Sequence, residues 1–228
     1  MDERFSRTAR VVGEEALLHI SGASVIVFGL GGVGGAAAES LVRAGIGRIG
    51  IVDKDTVDIT NINRQIIATD KTVGMNKTDA MEERLKDINP DIKIDKYNLF
   101  YLPETADEIN LSEYDFVVDC IDNVTAKLEL ISRAKAEGIP VISSMGTGNK
   151  LHPEMLKIAD ISKTSVCPLA RVMRRELKNR GISKVPVVYS EEEPRKTDSS
   201  VPGSTSFVPP VAGYLITSYV INQLISEV

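Results

Sequence analysis

The sequence predicts an α/β protein: a doubly wound, mostly parallel sheet followed by a C-terminal elaboration. Three observations carry that prediction. Short β-branched runs alternate with helical stretches, the rhythm of parallel strands joined by right-handed crossovers. The first run, "SVIVFG" (24–29), leads directly into Gly29-Leu30-Gly31-Gly32-Val33-Gly34, which satisfies G-x-G-x-x-G. Asp53 then closes the next run, "RIGIVD" (48–53), at the spacing of a Rossmann-like nucleotide-binding unit.

Each element follows in turn. "SVIVFG" reads as a buried strand ended by glycine, and an Ala- and Leu-rich helix covers 33–45. After the second strand, "KTDAMEERLKDINP" (77–90) places Met81, Leu85 and Ile88 on one helical face and stops at Pro90. "DIKIDKYNL" (91–99) alternates like a strand. "DFVVDCID" (115–122) is a buried strand, 125–138 a helix and "PVISSMG" (140–146) a further strand. Beyond residue 150 the texture changes. A helix spans 167–181 and a strand 185–190, and the polar stretch 191–206 has the composition of a mobile loop. "FVPPVAGYLITSYVINQLI" reads as a core helix, since its prolines and polar residues break up a membrane span. The whole, 1–228, is expected to be one domain, with a nucleotide-binding core over 1–150 and an RNA- or substrate-contacting elaboration over 151–228.

Composition narrows the functional classes. With 43% hydrophobic and 26% charged residues the chain is globular rather than disordered. A net charge of −5 argues against a uniformly basic nucleic-acid surface but leaves room for a local patch. The two cysteines form no C-x-x-C pair, so a four-cysteine zinc site is absent and a reducing cytoplasm fits. Neither a leader peptide nor a membrane segment is expected.

By itself the glycine turn with Asp53 supports NAD, FAD or ATP. The residues beyond it separate these options. Asn61, Asn63, Arg64 and Gln65 follow Asp53 closely, Lys77 opens a helix, and Asp119 and Asp122 close a strand. Cations neutralise phosphoryl charge and a carboxylate holds a hard cation, so the set suits ATP and Mg²⁺. A nicotinamide site has no need of it, and His19 and His152 sit in no catalytic motif. An NAD-binding or nucleotide-sensing module remains the alternative.

G-L-G-G-V-G (29–34), D-K-D-T-V (53–57), N-I-N-R-Q (61–65), V-G-M-N-K (73–77) and C-I-D-N (120–123), in that order, resemble the ThiF/MoeB/ubiquitin-activating-enzyme superfamily, which adenylates carboxylates. The resemblance implies a nucleotide site built from Gly29, Gly31, Gly32, Gly34, Asp53, Asp55, Asn61, Arg64, Gln65 and Lys77. Asp53 would bind ribose, and Asn61, Arg64 and Gln65 the phosphates. Lys77 would stabilise charge at the α-phosphate and Asp122 would hold Mg²⁺, so that Arg64, Lys77 and Asp122 are the catalytic set. "RFSRTARVVG" (4–13) resembles a segment that donates an arginine to a partner subunit's nucleotide, which implies a homodimer with Arg7 as donor.

Two further readings concern the C-terminal part. "DISKTSVCPLARVMRREL" (160–177), "VVYSEE" (187–192) and "PGSTSFVPPVAGYLIT" (202–217) resemble a tRNA-acting branch of the superfamily. That branch uses ATP to activate the carboxylate of threonylcarbamoyladenosine in the anticodon loop, which cyclises with loss of water. Independently, Arg171, Arg174, Arg175 and Lys178 fall at helical spacing on one face, followed by Arg180 and Lys184, a stripe that suits RNA phosphates. The other superfamily reading is activation of a sulfur-carrier or ubiquitin-like protein, with Cys167 as thioester nucleophile. A sulfur-relay or desulfurase partner belongs with the family's wider chemistry. Cys120, inside a strand, reads as core. "GTGNK" (146–150) has no assigned role and stands as a candidate ion or substrate site.

Overall fold

The computed structural model of the chain describes residues 2–199 and 201–226. A seven-stranded sheet runs through the molecule. Its centre is β1 (Ser24–Phe28), flanked by β2 (Arg48–Val52) on one side and β4 (Phe116–Asp119) on the other, both parallel to it. β3 (Lys93–Tyr97) extends the β2 side, and β5 (Val141–Ser144) the β4 side. β6 (Leu156–Asp160) and β7 (Pro186–Ser190) complete the order β3-β2-β1-β4-β5-β7-β6, with only β6 antiparallel. The chain turns one way after β1 and the other way into β4, which opens a crevice at the carboxyl ends of these two strands.

Val25, Ile26, Val27 and Phe28 are fully buried because helices cover both faces of β1. Each such side chain contributes about 1.5–3 kcal/mol by leaving water. One face carries α3 (Gly34–Ala44), α4 (Lys77–Ile88) and α7 (Val208–Ile225), joined through Leu41, Met81, Leu85, Ile216 and Val220. The other carries α5 (Val124–Ala136) and α6 (Pro168–Asn179), joined through Leu130, Ile131, Met173 and Leu177. α7 is helical despite its prolines. Pro209 and Pro210 lie in its first turn, where an N–H has no intrahelical acceptor to lose. Thr217 Oγ1 then donates to the Ala37 carbonyl of α3 at 3.2 Å, seating the C-terminal helix on the helix that follows the glycine turn.

Three features depart from the sequence reading. Residues 6–22, before the first strand, form two helices, α1 (Ser6–Val12) and α2 (Glu14–Gly22), joined at Gly13. β6 was not visible as a strand because as an edge strand it exposes Lys157 and Ile158 and shows no clean alternation. The described residues of the 191–206 stretch form a strap tied down by hydrogen bonds at several points. The Glu192 carboxylate accepts from the N–H groups of Leu151 and His152 at 2.9 Å. The Arg195 N–H donates to the Asn149 carbonyl, and Asn149 Oδ1 accepts from the Gly203 N–H. Asn63 Nδ2 donates to the Ser204 carbonyl at 2.9 Å. Asn149 offers both its backbone and its side chain because it adopts a left-handed φ of 58°. Ser200, within that strap, lies outside the described residues, as do residues 1, 227 and 228.

Candidate active site

The crevice holds a cavity of about 700 Å³. Its floor is the glycine turn. Gly29, at φ 85°, lies so close to the strand end of β4 that an added Cβ would stand 2.8 Å from the Cys120 carbonyl oxygen. A Cβ on Gly34 would meet the Gly29 oxygen at 1.8 Å, so the first residue of α3 has to be glycine for helix and turn to pack. Gly34 therefore works behind the cavity, while Gly29, Gly31 and Gly32 line it.

Asp53 is tied to this turn. Its Oδ2 accepts from the Leu30 N–H at 2.7 Å, and its Oδ1 from the Asp55 N–H at 2.9 Å. A carboxylate has about four lone-pair sites, so two remain to accept from a ligand. Lys77, at the start of α4 and 7% exposed, places Nζ 3.0 Å from Asp55 Oδ2 and 3.9 Å from Asp53 Oδ1. Its backbone N–H donates to the Asp55 carbonyl, which fixes α4 against the strand-end loop. A buried cation with its counter-ions thus stands ready beside the cradle.

Asn61, Arg64 and Gln65 form the next wall. Asn61 has a structural duty as well: its Oδ1 accepts from the Asp58 N–H, closing a capping box. Arg64 donates from Nη1 to the Thr60 carbonyl and to Asn63 Oδ1, holding the guanidinium over the cavity edge. Gln65 is 6% exposed, and its buried Oε1 has no hydrogen-bond partner. A buried amide left unsatisfied costs free energy unless a ligand completes it. With open space beside Gly31 and the cations of Lys77 and Arg64 nearby, the residues present fit a bound nucleotide.

The far end of β4 divides two roles. Asp119 is fully buried, accepts from Ser143 Oγ at 2.6 Å and pairs with Lys127 Nζ at 2.9 Å, so it is committed to the fold. Asp122 is exposed at the cavity rim. Among the described residues no group of three or more His, Cys, Asp or Glu converges as a metal site. A single carboxylate suits Mg²⁺ held mainly by phosphates and water.

Sequence reasoning missed one wall and left a second without an assigned role. Leu99, Phe100 and Tyr101 flank the Asp53 end, with Lys54 Nζ 3.8 Å from the Phe100 ring centroid. Beyond Asp122 the cavity continues between Met145–Lys150, Cys167–Leu169 and Pro202–Ser204. The "GTGNK" turn belongs to this second wall. Cys167 is buried at the N-cap of α6, whereas desolvation pushes the Cys120 thiol well above its usual range and marks it as inert. Arg7 is exposed on α1 and lies outside this cavity. Of the basic stripe, Arg174 turns to the Thr164 carbonyl and hydroxyl at 2.6 and 2.8 Å, and Arg175 pairs with Glu176. Arg171 and Lys178 stand exposed on a helix whose first turn lines the cavity.

The ThiF family profile matches residues 5–226. The tRNA threonylcarbamoyladenosine dehydratase of Bacillus subtilis is 40% identical over 246 aligned positions, spanning 100% of this chain and 97% of that one. The crystal structure of the Escherichia coli tRNA N6-threonylcarbamoyladenosine dehydratase with AMP superimposes with a TM-score of 0.93 at 34% identity, covering 99% of this chain and 95% of the other. The ATP complex of that enzyme superimposes with a TM-score of 0.91 at 33% identity and the same coverage.

Proposed function

The chain belongs to the ThiF family, and from that premise we propose that it is an ATP-dependent tRNA-modifying enzyme that activates the carboxylate of threonylcarbamoyladenosine and closes it into a ring with loss of water. One observation carries the reading. A single cavity joins a nucleotide end, built on the glycine turn, Asp53, Arg64, Gln65 and Lys77, to a second wall formed by the C-terminal strap and the start of α6. An adenylating enzyme needs both ends in one space, because the acceptor carboxylate has to meet the α-phosphate.

The geometry supports a division of labour. Asp53 grips the ribose with the lone pairs that the turn leaves free. The phosphates lie along Gly31 and Gly32, within reach of Arg64, Gln65 and Lys77. Asp122 would hold Mg²⁺, which would supply neutralising charge beside the phosphates. The acceptor carboxylate attacks the α-phosphorus, and Lys77 and Arg64 stabilise the charge that builds as pyrophosphate departs, a step governed by positioning and electrostatics. Residues 151–228 carry the substrate-facing strap and, through Arg171 and Lys178 with Arg174 and Arg175 beside them, a patch for RNA phosphates. Among the described residues no helix is long and apolar enough to cross a membrane, and a cytoplasmic site of action fits a tRNA substrate. A homodimer with Arg7 exchanged between subunits completes the proposal.

The decisive test is nucleoside mass analysis of tRNA bearing the threonylcarbamoyl group, after incubation with the protein, ATP and Mg²⁺. The expected result is the loss of one water with one AMP formed per nucleoside. Lys77→Ala and Arg64→Ala should each lower turnover by about a hundredfold or more while remaining folded by circular dichroism. Unchanged tRNA with the parent protein overturns the reading, and full activity in either variant removes that residue from the mechanism.

A further inference from the structure

We propose that Lys150 is the general base of the ring-closing step, taking the proton that the ureido nitrogen of the activated nucleoside gives up. The assignment rests on the functional reading above and deepens it. Lys150 ends the Gly146–Lys150 turn, is 2% exposed and lines the cavity on the wall beyond Asp122, where the acceptor has to lie. Asn149, immediately before it, has a left-handed φ of 58°.

The two lysines of the cavity have opposite surroundings. Lys77 has Asp55 and Asp53 as counter-ions. Lys150 Nζ donates instead to the backbone carbonyl of Glu192, a neutral acceptor, and among the described residues no carboxylate lies within ion-pairing reach of it. The Glu192 carboxylate is occupied by the N–H groups of Leu151 and His152. Burial pushes Lys150 below the ordinary lysine range, opposed by Cys167 and Glu192, the titratable groups that act on it. Paired environments that drive like groups apart mark acid and base roles: Lys77 serves phosphate as a cation, and Lys150 serves as an amine. Four other titratable groups of the cavity are engaged or suppressed, and burial also pushes the unpartnered Tyr101 hydroxyl up. Asp53 and Asp55 hold the cradle and Lys77, Lys54 lies against Phe100, and the Cys120 thiol is suppressed.

The step balances. The ureido group bonds to the acyl carbon of the adenylate, the bond from that carbon to the AMP oxygen breaks, and its electron pair leaves with AMP. Whichever ureido atom attacks, an N–H proton is lost. Lys150 Nζ takes it, becomes an ammonium, and returns it to solvent before the next turnover.

The test separates the two half-reactions in Lys150→Met and in Lys150→Arg, which keeps length and charge but cannot act as a base. Adenylation is read by tRNA-dependent pyrophosphate release and hydroxylamine trapping of the acyl-adenylate, and closure by single-turnover mass analysis across pH. The parent's closure rate should rise with pH through an apparent pKa below that of free lysine, because the neutral amine is the active form. Both variants should keep adenylation and the trapped hydroxamate, lose closure by about a hundredfold or more, and lose that pH limb. Closure at parental rate in Lys150→Arg, an unchanged pH limb, or loss of adenylation alongside closure overturns the assignment. A parent protein that leaves the nucleoside open overturns the functional reading, and this assignment with it.

Discussion

At the scale of the residue, the glycines of one turn do different work. Gly34 is demanded by packing, since the Gly29 oxygen occupies the place of its Cβ. Around Gly31 nothing in the protein lies within 4 Å of an added Cβ, yet the residue faces the cavity. In the proposed function its lack of a side chain serves the ligand rather than the fold. Gly31→Ala should leave stability within about 0.5 kcal/mol of the parent, because it creates no clash. It should weaken ATP at least about tenfold, or ~1.4 kcal/mol, by holding the backbone off the phosphates. Thermal melting and a calorimetric ATP titration check both halves, and unchanged ATP affinity would remove Gly31 from the phosphate site. Asp53 and Lys77 were legible in the sequence because spacing placed them at a strand end and a helix start. Their second duties, to the Leu30 N–H and to Asp55, were not, because such contacts depend on how loops close. Gln65 shows the same limit: the motif marks it, but only the folded wall shows that its carbonyl oxygen is stranded.

At the scale of the element, β1, β2 and β4 could be read because each is buried on both faces and appears as a short apolar run, and β3 because its residues alternate. β6 could not, since an edge strand with one exposed face carries a diluted pattern, and the strap over 191–206 has loop composition although Asn149 and Glu192 anchor it. The loop after β4 owes its position to a buried pair that sequence alone leaves ambiguous. Lys127 on α5 joins Asp119 on β4, and also donates to the Ile121 carbonyl at 2.9 Å, one residue before Asp122. Ser143 on β5 completes the set. Lys127→Met leaves the Asp119 carboxylate buried without a cation and should cost about 3–5 kcal/mol. For a chain of this size that lowers the melting temperature on the order of 10 °C. Adding Asp119→Asn to Lys127→Met should recover much of the loss, because the penalty lies in the uncompensated charge rather than in the absence of the pair. Equal melting of parent and Lys127→Met would show that the pair carries no stability. Scanning calorimetry of the parent, the single and the double variant checks both statements.

At the scale of the whole molecule, an acidic chain has to gather a polyanionic RNA and ATP around one cavity. The positive charge is local: Lys77 and Arg64 inside, Arg171 and Lys178 outside along α6. The remaining cation of the motif set, Arg7, is exposed on α1 and does not reach the cavity of its own chain. An arginine there contributes to the chemistry only if a second copy presents it across a two-fold interface, where each subunit gives what it receives. Mixing makes this testable. Arg7→Ala and Lys77→Ala should each be inactive alone, the first lacking the donated arginine and the second the cation of its own cavity. In a mixed dimer, the subunit carrying Arg7→Ala keeps its own Lys77 and receives Arg7 from its partner, so one site of the two is complete. Random exchange should therefore restore about a quarter of the sites, read as AMP formed in the presence of the modified tRNA. If Arg7 instead served only the packing of α1, Arg7→Ala would stay active and mixing would merely average the two proteins. A parent that is active as a strict monomer by sedimentation at assay concentration would contradict the exchange outright.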